Sequence, residues 1–442
     1  MFRFNDNMPV TFSDELPASA DVVVIGAGVI GISTAWYLRQ HGLSVLVCDK
    51  GRVAGEQSSR NWGWVRVTVR DPDEVPIAQD SLRCWEEISN ALDEDTGFTK
   101  QGILLLAENE KDMAECENWM TVAAAHGVDT KLLSEKEIFE HVGAQAGKWR
   151  GGIVTPSDAR AEPFKAVPAM ARGLQQRGGL IRENCAVRTL DVEAGRIAGV
   201  VTESGRVKTQ AVVCAAGAWS NMFLSNAAIN FPQLPVRGTV VRTAAAPEIY
   251  AGAAAFKDIF VRRRQDGGYT LASEWFDHTI GANSFRYLFK FMPTIAAGSD
   301  IGLRVGRDVA QQSFIAKNWR GDDVSPFEAN RVLNPAPSRD AIALIRRNLA
   351  RRVPELANIE FAESWAGMID ATPDIVPVMD QVETHPGLFL ASGFSGHGFG
   401  IGPGAGRVMA NMVAGREAEF DLTRFRFSRF SDGSPTVPGP AI

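Results

Sequence analysis

The 442-residue sequence predicts an α/β fold in which a Rossmann-type nucleotide-binding domain accompanies an α+β region built on antiparallel strands. Three observations predict it. Residues 21–50 read DVVVIGAGVIGISTAWYLRQHGLSVLVCDK, a strand, a GxGxxG turn, a helix, a second strand and an acid. A second glycine-rich strand, loop and helix follows near the end, GLFLASGFSGHGFGIGPGAGRVMANMVAG at 387–415. Between them lie short alternating apolar segments punctuated by turns.

In the first unit Val22–Ile25 is a buried-strand run and Gly26 and Gly28 form the tight turn. Gly31 lies at the start of a helix whose apolar face carries Ala35, Trp36 and Leu38. The next strand ends at Cys48, just before Asp49. Glycines there let backbone approach a pyrophosphate at a helix N-terminus, and the acid accepts from ribose hydroxyls. The segment that follows, AGEQSSRNWGWVR at 54–66, sets Trp62 and Trp64 around Gly63.

Residues 164–177 read as a helix, and the strands after it end in Ala211–Cys214, with Ala215, Ala216 and Gly217 at the tip. Small residues at a strand tip admit a ligand or close packing; both readings stand. Residues 234–250 and 256–271 read as antiparallel strands. The stretch SFRYLFKFMPTI at 284–295 is helical, its apolar face assigned to the core, with contact to a membrane surface or a partner as the minority reading. Residues 340–352 form an amphipathic helix stopped by Pro354. Near the end, Leu388–Ala391 is a buried strand, 393–402 a loop and 403–413 a helix.

A net charge of −6 offers no basic face for nucleic acid. The five cysteines lack CxxC spacing and fit reduced core thiols better than a disulfide or zinc framework, so no metal is expected. The polar N-terminus lacks the apolar stretch of a signal peptide, and the expected location is cytoplasmic, with the inner-membrane surface as an alternative reached through the 284–296 stretch.

Taken together, VVVIGAGVIG with Asp49, GEQSSRNWGW, AVVCAAGAWS at 211–220 and the WAG…TPDIVPV plus GFSGHGFGIGPGAG block resemble the D-amino-acid oxidase superfamily. That group contains glycine and sarcosine oxidases, D-amino-acid dehydrogenases and bacterial L-amino-acid deaminases. The resemblance implies FAD and two interleaved domains. The FAD domain would take 15–85, 150–225 and 360–428, the substrate domain 86–149 and 226–359, and 1–14 and 429–442 would be flexible tails. It places Gly26, Ala27, Gly28, Val29, Ile30 and Gly31 at the pyrophosphate, with Asp49 and Lys50 toward the adenosine ribose. Ser58, Ser59 and Arg60 would touch pyrophosphate and ribityl oxygens; Asn61, Trp62, Gly63 and Trp64 would approach the isoalloxazine. Val187 would clamp adenine, beside Ala215, Ala216, Gly217 and Trp219. Gly367, Gly396, His397, Gly398, Phe399 and Gly400 would complete the flavin side, their amides meeting charge on the reduced ring.

The implied reaction is oxidation of an amino acid or secondary amine. Hydride leaves the α-carbon for the flavin, and the imine hydrolyses to an oxo product and amine or ammonia. The electron acceptor would be oxygen, or a quinone or partner flavoprotein. No general base is required once the amine is neutral. No His or Cys lies between Gly51 and Leu82, and no Cys follows Cys214, so dissociable FAD is expected. The sequence departs from the group at Met368, Ile369 and Asp370, where relatives carry a carboxylate-binding arginine at the position of Ile369. Asp370 would pair with a cationic amine or cap the following turn; as another reading the anchor moves to Arg66, Arg237 or Arg262, each otherwise a surface or structural arginine. Trp64, Arg66, Trp365, Met368, Asp370 and His397 are the substrate-pocket candidates. Two other readings remain at this point: a flavin-bearing subunit without its own turnover, and an NAD-dependent dehydrogenase.

Overall fold

In the computed structural model the described residues are 2–142, 149–298, 301–305 and 318–440. Val22–Ile25 lies near the middle of a six-stranded sheet, with Val45–Cys48 and then Leu180–Arg182 on one side. On the other side come Ala211–Cys214, Leu388–Ser392 and Val378–Gln381. Every pair is parallel except the last. These strands read as unbroken apolar runs because both faces are covered. Helices Val29–Gln40 and Gly398–Val413 pack side by side so closely that a Cβ on Gly406 would sit 2.5 Å from Ser33 Cβ.

The second layer is a nine-stranded, largely antiparallel sheet. Its edge strand Phe361–Ala371 pairs along its length with Leu234–Thr243, which pairs in turn with Tyr269–Thr279. Ile259–Arg263, Ala253–Phe256, Ile103–Ala107, Gly151–Thr155 and Lys131–Ser134 continue it, and Ile301–Arg304 joins the end of Tyr269–Thr279. The α/β fold with an antiparallel substrate-side sheet is the expected one. Phe361–Ala371 and Gly151–Thr155, within the segments that the resemblance gives to the FAD domain, hydrogen-bond into the antiparallel sheet rather than the parallel one.

The described residues of the two terminal segments pack on the body. Phe2, Phe4 and Phe12 are buried, and Phe2 stacks on Trp365 at 5.1 Å. Arg429 forms an ion pair with Asp374, and Gly439 N donates to Asp374 O. Aromatic rings in a polar context override the composition that suggested flexibility. The C-terminal helix also begins earlier than expected, at Gly398, and contains Pro403. Ser81 Oγ donates to Gly400 O and accepts from Gly404 N, replacing one turn of the helical ladder beside the proline. The 284–295 stretch is helical, as Ala282–Arg286 and Leu288–Ala296, but its apolar face is in large part exposed rather than core.

Candidate active site

An elongated cavity runs from the tips of the parallel strands to the antiparallel sheet. Its empty space, open solvent at the mouth included, is about 1800 Å³.

At the parallel-sheet end, Gly26 adopts φ +103°, and a Cβ there would lie 2.5 Å from Ala215 O. Only glycine brings this turn so close to the neighbouring strand tip. The helix Val29–Gln40 has neither a side-chain cap nor an acid in its first turn, so its N-terminus favours an anion. Ser58 Oγ accepts from Val29 N at 2.9 Å and keeps its own proton to donate. Asp49 accepts from Ala27 N (2.8 Å) and Gly51 N (2.7 Å), and burial raises its pKa. Each oxygen retains a lone pair for a hydroxyl.

Lys50 and Trp219 converge on Glu56, a residue that sequence reasoning missed. Lys50 Nζ donates to Glu56 Oε1 at 2.6 Å and lies 4.2 Å from the Trp219 ring centroid, while Trp219 Nε1 donates to both Glu56 oxygens at 3.0 Å. The only signal for Glu56 was its place in the GEQSS segment. Val187, Ala215, Ala216 and Gly217 line the same end.

Other residues that the resemblance placed at the cofactor have partners within the protein. Ser59 is fully buried, its hydroxyl donating to Glu56 O, and is off the cavity wall. Arg60 is on the wall, but its guanidinium donates to Ala366 O, Phe4 O, Gly55 O and Asn334 Oδ1. Those acceptors make it a brace between loops, while its buried Nε has no partner; burial lowers its pKa to about 10. Gly63 has φ +81°, and a Cβ would lie 2.6 Å from both Ala161 O and Arg262 Nε, so protein crowding explains this glycine. Ala27, Gly31 and Gly400 also lie off the wall: Ala27 serves through its N–H to Asp49, and Gly400 O accepts from Ser81 and Trp85. Trp365 is core, its indole N–H donating to Arg60 O, and Met368 is likewise not on the wall.

At the other end the wall carries Asn61, Trp62, Trp64, Phe276, Gly367 and Ile369. Trp62 stacks on Phe260 at 4.6 Å and meets Trp64 edge-on at 5.8 Å. Asp370 Oδ2 accepts from Gly393 N at 2.8 Å, whereas Oδ1 has no hydrogen-bond partner. Burial pushes its pKa up to about 6. Gly396, His397, Gly398 and Phe399 form the facing wall at the start of the C-terminal helix. His397 Nδ1 lies 3.1 Å from Glu74 Oε2, which fixes the proton on that nitrogen; burial lowers the imidazole pKa. Nε2, buried and unpartnered, is therefore a free acceptor.

Of the three alternative anchors, two are committed elsewhere. Arg237 pairs with Asp277 at 2.7 Å, and Arg262, fully buried, pairs with Glu162 at 2.9 Å. Arg66 does line the cavity, donating to Thr68 O and lying 5.8 Å from the Trp64 ring. Beside it stands Arg70, which no sequence signal separated from other surface-like arginines. Arg70 is 7% exposed, lines the cavity, and its Nε has no acceptor. Burial, then Arg66, depress its pKa to about 9, against Glu74 and Asp158.

The residues present fit a dinucleotide: an uncapped helix N-terminus, an acid at one end, an aromatic and glycine-lined wall at the other. A family model, described as FAD-dependent oxidoreductase (DAO), matches residues 21–412. The chain belongs to that family. Its cofactor is FAD, which sets the nicotinamide reading aside. This family member is 24% identical over 426 residues to sarcosine oxidase subunit beta of Arthrobacter sp., covering 94% of this chain and 92% of the relative. It is 25% identical to glycine oxidase of Pseudomonas aeruginosa over 91% of this chain and 97% of that one. In structure it is similar to L-amino acid deaminase from Proteus myxofaciens, solved with anthranilate, with TM-score 0.93, 28% identity and 97% of each chain covered.

Proposed function

We propose that this flavoprotein oxidises an amino acid or N-substituted amino acid, holding the substrate's carboxylate with Arg70 and Arg66. One observation carries the reading: a guanidinium buried in the cavity wall with no ion-pair partner among the described residues. Such a cation is costly to bury unless a ligand anion completes it. The pair takes over the role that the missing arginine at Ile369 plays in relatives.

FAD, when bound, supplies the hydride acceptor. The chain's own residues do the rest. Trp62, Trp64, Phe276 and Ile369 form an apolar wall that excludes water from the reacting carbon. His397 Nε2, an acceptor with its proton held on the Glu74 side, can orient a substrate or cofactor N–H or O–H. A neutral amine needs no side-chain base. The absence of His and Cys from the 52–81 segment supports dissociable FAD; acid precipitation should leave the yellow colour in the supernatant.

The test is an anaerobic screen of D- and L-amino acids, N-methyl amino acids and simple amines, following flavin bleaching. Carboxylate-bearing amines should bleach it, and Arg70→Ala should raise their KM roughly 30- to 1,000-fold, as loss of a buried charge-assisted pair does. Bleaching only by amines without a carboxylate would refute the anchor. No bleaching by any amine would instead favour a flavin-bearing subunit without its own turnover.

A further inference from the structure

Two helix N-termini meet behind the cavity wall, and neither terminal side chain caps its own helix. Glu74 stands at the start of the helix Val75–Asn90 and His397 at the start of Gly398–Val413, both without a side-chain capping bond. They face each other instead, His397 Nδ1 lying 3.1 Å from Glu74 Oε2 and 3.3 Å from Oε1. Glu74 is fully buried and His397 is 2% exposed. His278, the other buried histidine, has both nitrogens occupied, Nδ1 by Pro235 O and Nε2 by Ser284 Oγ. His397 has only its Glu74 side filled. Its Nε2 has no partner, on a residue of the wall that Arg70 and Arg66 also line.

The charges facing this imidazole decide when it takes a proton. Burial holds it neutral in the empty site; Arg70 and then Arg66 work the same way, and Glu74 opposes them. Its place at a helix N-terminus adds to the effect of the arginines. Asp158 stands behind Arg66 and Arg70 and favours their charge. A substrate carboxylate on Arg70 cancels the largest charge opposing protonation of His397. In an α-amino acid the nitrogen is one carbon from that carboxylate, and it arrives from neutral water as an ammonium. An ammonium has no lone pair to drive hydride from the α-carbon, so one proton must leave first.

We propose that His397 Nε2 takes this proton from the substrate's ammonium, with Glu74 holding the imidazole to receive it, once the carboxylate is seated on Arg70. An N–H bond of the ammonium breaks, its electron pair stays on nitrogen, and an N–H bond forms at Nε2. No oxidant or reductant enters the step. The proton on Nδ1 stays against the Glu74 carboxylate, so the new positive charge is compensated where it forms. Deprotonation is thereby confined to amines that carry a carboxylate; a plain amine meets two arginines and an imidazole that those arginines keep neutral. Glu74 is a positioning residue in this scheme, since it acts through His397. The inference rests on the Arg70 anchor proposed above.

Two measurements on the FAD-loaded protein test it. In the first, propionate, a carboxylate without an amine, is titrated calorimetrically at neutral pH in buffers of different ionisation enthalpy. Wild type should bind it and take up protons from solvent, because no ammonium supplies one; Glu74→Gln and His397→Asn should lose most of that uptake. Binding without uptake overturns the proposal and leaves the anchor standing. So does uptake that survives both substitutions, which would belong to another group such as Asp158, whose pKa of about 6 is set by burial. Failure of propionate to bind wild type removes the anchor, and the proposal with it. In the second, the limiting rate of anaerobic flavin reduction is followed against pH with an amino acid that bleaches the flavin. His397→Asn should slow it roughly 10- to 100-fold near pH 7 and converge on wild type near pH 10, where the amine arrives neutral. Glu74→Gln should give the same shape with a several-fold loss. Convergence at high pH also shows that the variants are folded. A loss by the same factor at every pH would make the pair structural and overturns the proposal, as does a His397→Asn profile identical to wild type.

Discussion

At the residue scale, burial of ionisable groups leaves measurable marks. Asp370 titrates at about 6 in the fold against an ordinary value of 3.8. Its contribution to stability is therefore full below pH 4 and is lost as pH rises through 6, because the unfolded chain ionises first. That difference corresponds to about 3 kcal/mol at most. Asp370→Asn keeps an acceptor for Gly393 N, so the melting temperature of the FAD-free variant minus that of wild type should grow between pH 4 and 6 and level off above 7. A flat difference would show that Asp370 is already satisfied. Gly63 makes a second prediction. Alanine there would need φ +81° and put a Cβ 2.6 Å from Ala161 O, costing about 2–4 kcal/mol in chemical denaturation. Trp64→Ala, which opens the wall near Arg66, should alter turnover more than FAD affinity; the opposite split would make the ring cofactor scaffolding.

At the element scale, the GxGxxG turn, the strand ending at Cys48 and the glycine-rich loop at 396–400 were readable because local spacing carries them. The supports behind them were not. Glu74 and His397 meet across 323 positions of sequence, and Trp365 finds Phe2 in a segment whose composition suggested disorder. Arg70 resembles any polar loop residue until the fold encloses it. Helix amphipathicity had the same limit: periodicity located the helical stretch at 284–295 but not which side would face water. The helix pair Val29–Gln40 and Gly398–Val413 gives a prediction at this scale. Gly406→Leu would drive a side chain into Ser33, whose Cβ a bare methyl would already approach to 2.5 Å. Overpacking on that scale should cost about 1–3 kcal/mol or more, and because the two helix N-termini form the cavity wall, FAD retention should fall with it.

At the scale of the whole molecule, the chain passes repeatedly between the parallel and antiparallel sheets, and the cavity takes wall residues from both. The two sheets should therefore melt as one unit. Tryptophan fluorescence and far-ultraviolet circular dichroism should give coincident transitions, moved up together when FAD is added. Two separated transitions would mean that each sheet is stable without the other. The stacked pair Phe2–Trp365 carries this interleaving into time. At roughly 5–20 residues per second, synthesis separates the two rings by about 20 to 70 seconds. Until then the Arg60 brace has Phe4 O in reach but lacks Ala366 O. The nascent N-terminal half must wait, with Phe2 and the Arg60 loop incompletely covered, for one of the last strands to arrive. Chaperone capture during that interval, lengthened by slowing translation of the residues between Phe4 and Phe361 and shortened by speeding it, is where this architecture would leave its trace in a cell.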